Sequence, residues 1–119
     1  MTKSSKKSKQ PSMQFLHSIE LKEKTDAVFS ELESNPDNPN NGDTMANLVA
    51  DLIDAGMDYY FVKALKEAKI GFISEKSARL GIASAVKLIS SVSRKFIVRM
   101  NSNQLSIVAN HIQSLDSSK

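Results

Sequence analysis

Cysteine and tryptophan are both absent from this 119-residue chain. Without a thiol, cysteine nucleophiles, thiolate metal sites and disulfide staples are excluded, while the absence says little about compartment. Long hydrophobic runs are missing too. The least polar stretch, Leu80 to Val92, is interrupted by Lys87 and falls short of the roughly 20 residues that a spanning helix needs. The basic start, Met1 to Ser12, is not followed by the apolar stretch of about 7 to 15 residues that a signal peptide requires, because Glu20, Lys22 and Glu23 interrupt it. Thr2 stands where myristoylation needs glycine. The expectation is a cytoplasmic protein with no membrane insertion. There is also no Gly-x-Gly-x-x-Gly and no Walker lysine, hence no phosphate cradle.

What the chain does have is charge sorted by position. Met1 to Ser12 carries four lysines and no acid, a net +4. Met13 to Asp58 carries ten acids against Lys22 and Lys24, a net −8, and Tyr59 to Lys119 carries ten bases against three acids, a net +7. The overall +3 conceals oppositely charged halves that can attract one another within a molecule or between copies. Residues 1–12 are predicted to be a disordered lysine-rich tail, too polar to bury anything, and residues 13–119 a single domain. A domain of that size buries roughly 60 to 70% of its unfolded surface and folds without staples.

Apolar residues recur at helical spacing from Met13 onward, with no alternating run that favours a strand. The predicted fold class is all-α, a compact bundle of four to five mostly antiparallel helices. A first helix is expected from about His17 to Ser34. The Asn-Pro-Asp-Asn-Pro-Asn-Asn-Gly-Asp stretch from Asn35 to Asp43 forbids regular structure. Asp43 or Thr44 then caps a helix whose apolar face holds Met45, Leu48, Val49, Leu52 and Ile53, opposite Asn47, Asp51, Asp54 and Asp58. Past Gly56 the phase inverts, with Phe61, Val62 and Leu65 on the side the aspartates held. Two helices are therefore expected, Thr44 to Ala55 and Asp58 to Lys69, with Gly56 as a left-handed terminator and Asp58 as the next cap. The competing arrangement is one long helix passing from one packing surface to another.

Gly71 ends that element, and Ser74 opens the longest segment. Ala78, Ile82, Ala85, Ile89, Val92, Phe96 and Arg99 alternate spacings of four and three and form a packing seam. Gly81, Ala83, Ser84, Ser90, Ser91 and Ser93 keep its surroundings thin. Asn101 with Gln104 resembles a capping box, opening a final helix to about Asp116 in which Leu105, Val108, Ile112 and Leu115 face one way.

Catalytic and metal-binding patterns fail on inspection. Asp51, Asp54 and Asp58 share a face, but the Glu-x-x-His pairs of a di-metal bundle are missing, so a solvated face is expected. Asp37 to Gly42 has Pro39 at the third calcium-ligand position and Leu48 at the twelfth, where a glutamate is required. His17 and His111 lie in no recognised nucleophile motif, and are expected at the surface and at the rim of an apolar face. Helix-turn-helix alignments on Gly71 or Gly81 place Glu67 or Ser77 where a small buried residue belongs.

These observations lead to a helical module without catalysis or cofactor, which pairs with itself, as a homodimer for instance, or with another protein. Its expected contact residues are Tyr59, Tyr60, Ile82, Ala85, Ile89 and Phe96, with Asp51, Asp54, Asp58, Arg94, Lys95 and Arg99 steering at the rim. The alternative is a nucleic-acid-binding protein that uses Lys3, Lys6, Lys7 and Lys9 with Arg94, Lys95 and Arg99 to contact phosphates without reading sequence. A weaker third option is a cavity between helices for a small apolar ligand or metal.

Overall fold

Helix follows helix in the computed structural model, which describes residue 11 and residues 15–116. The all-α class is as expected, with no strand among the described residues. The lysine arm at Lys3, Lys6, Lys7 and Lys9 lies outside them.

Helix α1 spans Ile19–Ser34. Ser18 caps it, its Oγ accepting from the Leu21 N–H at 3.0 Å, which satisfies one of the otherwise unpaired first-turn donors. It buries Leu21, Val28, Phe29 and Leu32 and stops at Asn35, ahead of Pro36. Helix α2 spans Asn41–Met57 and begins ahead of the expected cap at Asp43 or Thr44. Local propensity is overridden by burial here. Asn41 is buried with its amide nitrogen donating to the Asn35 carbonyl at 2.8 Å, and at Gly42 a Cβ would stand 3.0 Å from the Val98 Cα. Any larger residue there would require the Val98 backbone to give way by a few tenths of an ångström.

Gly56 does not terminate anything. α2 runs through it into a π turn at Asp58–Val62, and that turn continues into a short helix α3, Lys63–Glu67. The Lys63 N–H reaches back five residues to the Asp58 carbonyl instead of four. One residue inserted into an α-helical register rotates everything after it by about 100°. The inverted apolar phase past Gly56 is therefore met by a bulge in one rod, not by a break, and Asp58 lies inside the rod, not at a cap. Val62 is buried after the bulge and Leu65 half-buried, whereas Phe61 is exposed. The rod ends where Lys69 takes a left-handed φ of 53°, followed by Gly71 at φ 103°.

Helix α4, Phe72–Ile97, is the longest, and α5 spans Ser102–Ser114. The capping box at the start of α5 is complete. The Gln104 N–H donates to the Asn101 side chain at 2.8 Å, and the Asn101 N–H donates to the Gln104 side chain at 3.0 Å.

α2 is the central element, packed against α1, α4 and α5. Met45 and Leu48 are almost wholly inaccessible, surrounded by Leu21, Val28, Phe29 and Leu32 from α1, Ile97 from α4, and Leu105 and Ala109 from α5. Burying a leucine of this kind contributes about 1.5–3 kcal/mol. The shortest dimension of the molecule is 23 Å, about two helix diameters, so little of α4 gains cover on more than one side. No helix is long and apolar enough to cross a membrane, among the described residues.

Candidate functional site

The heptad seam expected on α4 is only half buried. A straight helix drifts by roughly 20° per heptad from a strict seven-residue repeat, hence by about 60° over three heptads. The first seam residues, Ala78, Ile82 and Ala85, are accordingly half-buried. By the other end the inward side has moved to Val86 and Ile97, and the seam's Ile89, Val92 and Phe96 stand in solvent. Phe96 is 64% exposed and Ile89 45%.

Phe96 forms one lip of an open apolar groove of about 510 Å³. Ser93, Phe96 and Ile97 of α4 make one wall, Val108 and Ile112 of α5 the other, and Val49, Leu52 and Ile53 of α2 the floor, with Met100 closing the end. The groove exists because α4 and α5 each pack on α2 while splaying from one another. Ile89 and Val92 stand one to two turns before Phe96 on the same side of α4, and extend the apolar surface beyond the groove. The sequence placed Val49, Leu52, Ile53, Val108 and Ile112 on apolar faces. It carried no sign that those faces would meet incompletely, because the splay depends on three helices at once.

Tyr59 and Tyr60 are occupied within the subunit. Their rings meet edge to face at 5.5 Å, Phe15 lies 6.2 Å from Tyr60 and 6.5 Å from Tyr59, and the Lys63 ammonium sits 5.4 Å from the Tyr59 ring centre. Both are half-buried and lie within the π turn. Ile82 and Ala85 belong to the half-buried part of the seam. Of the six expected contact residues, Ile89 and Phe96 are thus the two that stand exposed together.

The steering charges divide likewise. Arg94 reaches from α4 to α2, donating to Asp43 at 3.4 Å and to Asn47, and Asp51 accepts from Lys24. The Arg94–Asp43 pair joins the basic and acidic halves within one molecule, whereas Lys24 and Asp51 both belong to the acidic half. Lys95, Arg99, Asp54 and Asp58 are exposed. On α1, the Lys22 ammonium donates to Asp116 at 2.9 Å. That hydrogen bond, helped by the nearby Asp116 and Asp26 charges and opposed by partial burial, holds the Lys22 pKa above its ordinary value near 10.5.

No group of three or more metal-ligating side chains occurs among the described residues, and Asp51, Asp54 and Asp58 form a solvated face. A second, polar hollow lies over Glu31, Asn35 and Asp37, where the Glu31 carboxylate accepts from the amides of Asn35 and Asn38. His17 is exposed, its Nδ1 beside the Ser18 carbonyl at 3.1 Å and its ring 5.6 Å from Phe15; His111 is exposed on α5.

No family model, curated protein or solved structure matches this chain.

Proposed function

We propose that the protein is a non-catalytic helical interaction module of the cytoplasm that associates through the groove between α4 and α5, first with a second copy of itself and otherwise with a helix of another protein. The observation that carries this reading is Phe96, a large aromatic side chain in solvent at the lip of an apolar groove. Exposed apolar side chains gathered beside one apolar groove, unlike singly scattered ones, favour an interaction site. A convex apolar row, Ile89, Val92 and Phe96, stands beside a concave apolar groove on the same subunit. A two-fold pairing can therefore set the row of each copy into the groove of the other, the self-complementary arrangement such symmetry demands. In that assembly the helices splayed in one subunit would complete the compact, mostly antiparallel bundle that the sequence suggests.

Phe96→Asp is the discriminating substitution, since it places a charge at the lip without touching Met45 or Leu48. Sedimentation of the parent chain is expected to give a mass above 13.1 kDa, and the variant should return to that monomer value with unchanged helicity. A monomeric parent, or a variant that associates as the parent does, would remove the reading. For nucleic acid, the described residues leave Lys95 and Arg99 exposed, while Arg94 is engaged by Asp43 and Asn47, so that alternative has the weaker support.

A further inference from the structure

The most exposed large apolar side chains of α4 are not at the groove but at its opposite end. Phe72 and Ile73 open α4 at 79% and 80% exposure, and Ile70, just before Gly71, is exposed as well. The turn that carries them joins α3 to α4 and lies outside the main core, whose buried members come from residues 21–48 and 97–109. The chain turns at left-handed Lys69 and at Gly71, φ 103°, residues 66–74 are all exposed, and a Cβ on Gly71 would meet nothing within 4 Å, so the turn forms an open tip. Around the tip, residues 63–79 carry five bases against two acids, Glu67 and Glu75. Glu75 is paired with Arg79 at 3.1 Å, while Lys66, Lys69 and Lys76 are exposed.

A convex apolar point with a basic collar does not suit a rigid pocket or a nucleic-acid backbone. Phosphates have no use for Ile70, Phe72 and Ile73, and a protein pocket deep enough to take them has to accommodate the lysines beside them. An anionic lipid surface satisfies both parts, because acyl chains accept the apolar side chains at shallow depth while phosphate and carboxylate headgroups meet the lysines. We propose that the α3–α4 turn is a reversible docking point for an anionic bilayer surface, with Ile70, Phe72 and Ile73 entering the headgroup boundary and Lys66, Lys69 and Lys76 at the headgroups. This contact is peripheral, does not span the bilayer, and stands independently of the groove.

The test is co-sedimentation of the full chain with vesicles of phosphatidylcholine, with and without phosphatidylserine. The parent should bind only the anionic vesicles, and less as salt rises. Phe72→Ser with Ile73→Ser leaves every charge in place, and both side chains are already in solvent, so helicity should be unchanged. This double variant is expected to lose binding by about tenfold or more. Replacing Lys66, Lys69 and Lys76 with glutamine should weaken binding about fivefold per residue. If the parent fails to bind, or binds phosphatidylcholine alone as well, the proposal is wrong. Binding unchanged in the serine double variant also overturns it, since charge elsewhere in the chain, such as the lysine arm, would then suffice. Retention on DNA but not on vesicles overturns it in favour of a polyanion.

Discussion

Gly56→Ala separates a continuous rod from a broken one by the sign of a single number. In a helix interior glycine is less favourable than alanine by about 1 kcal/mol, partly because the unfolded chain gains freedom from it. The added Cβ would find the Phe15 ring Cε1 at 4.0 Å, an ordinary van der Waals contact, so no steric charge is set against that gain. The variant should therefore be more stable by about 1 kcal/mol. With a urea dependence of about 1–3 kcal/mol/M, the unfolding midpoint followed by far-UV circular dichroism should rise by about 0.3–1 M, and the melting temperature by about 4 °C or more. A left-handed residue at Gly56 gives the opposite sign, because alanine in that conformation is disfavoured by about 1–2 kcal/mol. A midpoint that falls by a comparable amount would refute the continuous rod, and with it the π turn as the source of the phase change.

Gly42→Ala should behave in the reverse way despite the same gain in helix propensity. Its Cβ would stand 3.0 Å from the Val98 Cα and 3.2 Å from the Val98 oxygen, backbone atoms that yield only if α2 and the end of α4 separate, and a loss of about 1–3 kcal/mol is expected in urea unfolding. Gly81→Ala, with open space around it, is the matched control and should gain about 1 kcal/mol. Lys69→Gly relieves a left-handed lysine at the end of α3, and should raise stability by about 0.5–1 kcal/mol; a lower melting temperature contradicts that turn geometry. Because the folded-state pKa of Lys22 is raised, its pair with Asp116 contributes fully below about pH 10.5 and is lost only as pH climbs through the higher folded value. Lys22→Met should accordingly leave the stability profile between pH 7 and 9 unchanged in shape, and blunt the decline at strongly alkaline pH.

Where the physics is local, the residues were sufficient. The Asn101 and Gln104 capping box, the Pro36 and Pro39 loop and the apolar face carrying Met45 and Leu48 all depend on neighbours within a few positions. Gly56 fits a terminator as well as a helix interior, because an inverted hydrophobic phase has two solutions, a break or an inserted residue, and the choice between them rests on contacts distant in sequence, such as the Phe15 ring cluster. Asn41 and Gly42 enter α2 against their propensities for the same kind of reason: Asn35 and Val98 supply contacts from outside the helix. The α4 seam was located at its first half and lost at its second, since a repeat of spacings four and three turns gradually off a straight helix. Of the expected interface, Phe96 and Ile89 are legible as apolar seam positions. Their exposure is not, because it reflects how far α4 and α5 stand apart over α2. The tip at Phe72 and Ile73 carries a sequence signal, two large apolar residues after glycine amid lysines, which only gains meaning once the turn is seen to protrude.

In the proposed assembly, apolar surface around Phe96, more than opposite charge, brings a second copy to this molecule. Light scattering of the parent chain at low and at high salt measures it most directly. Apolar contact is not screened by salt, and Arg94 of the basic half is already paired with Asp43 of the acidic half within the subunit, so a mass above the 13.1 kDa monomer should persist at both ionic strengths. A monomer under both conditions, or an assembly that dissolves as salt is added, would contradict it.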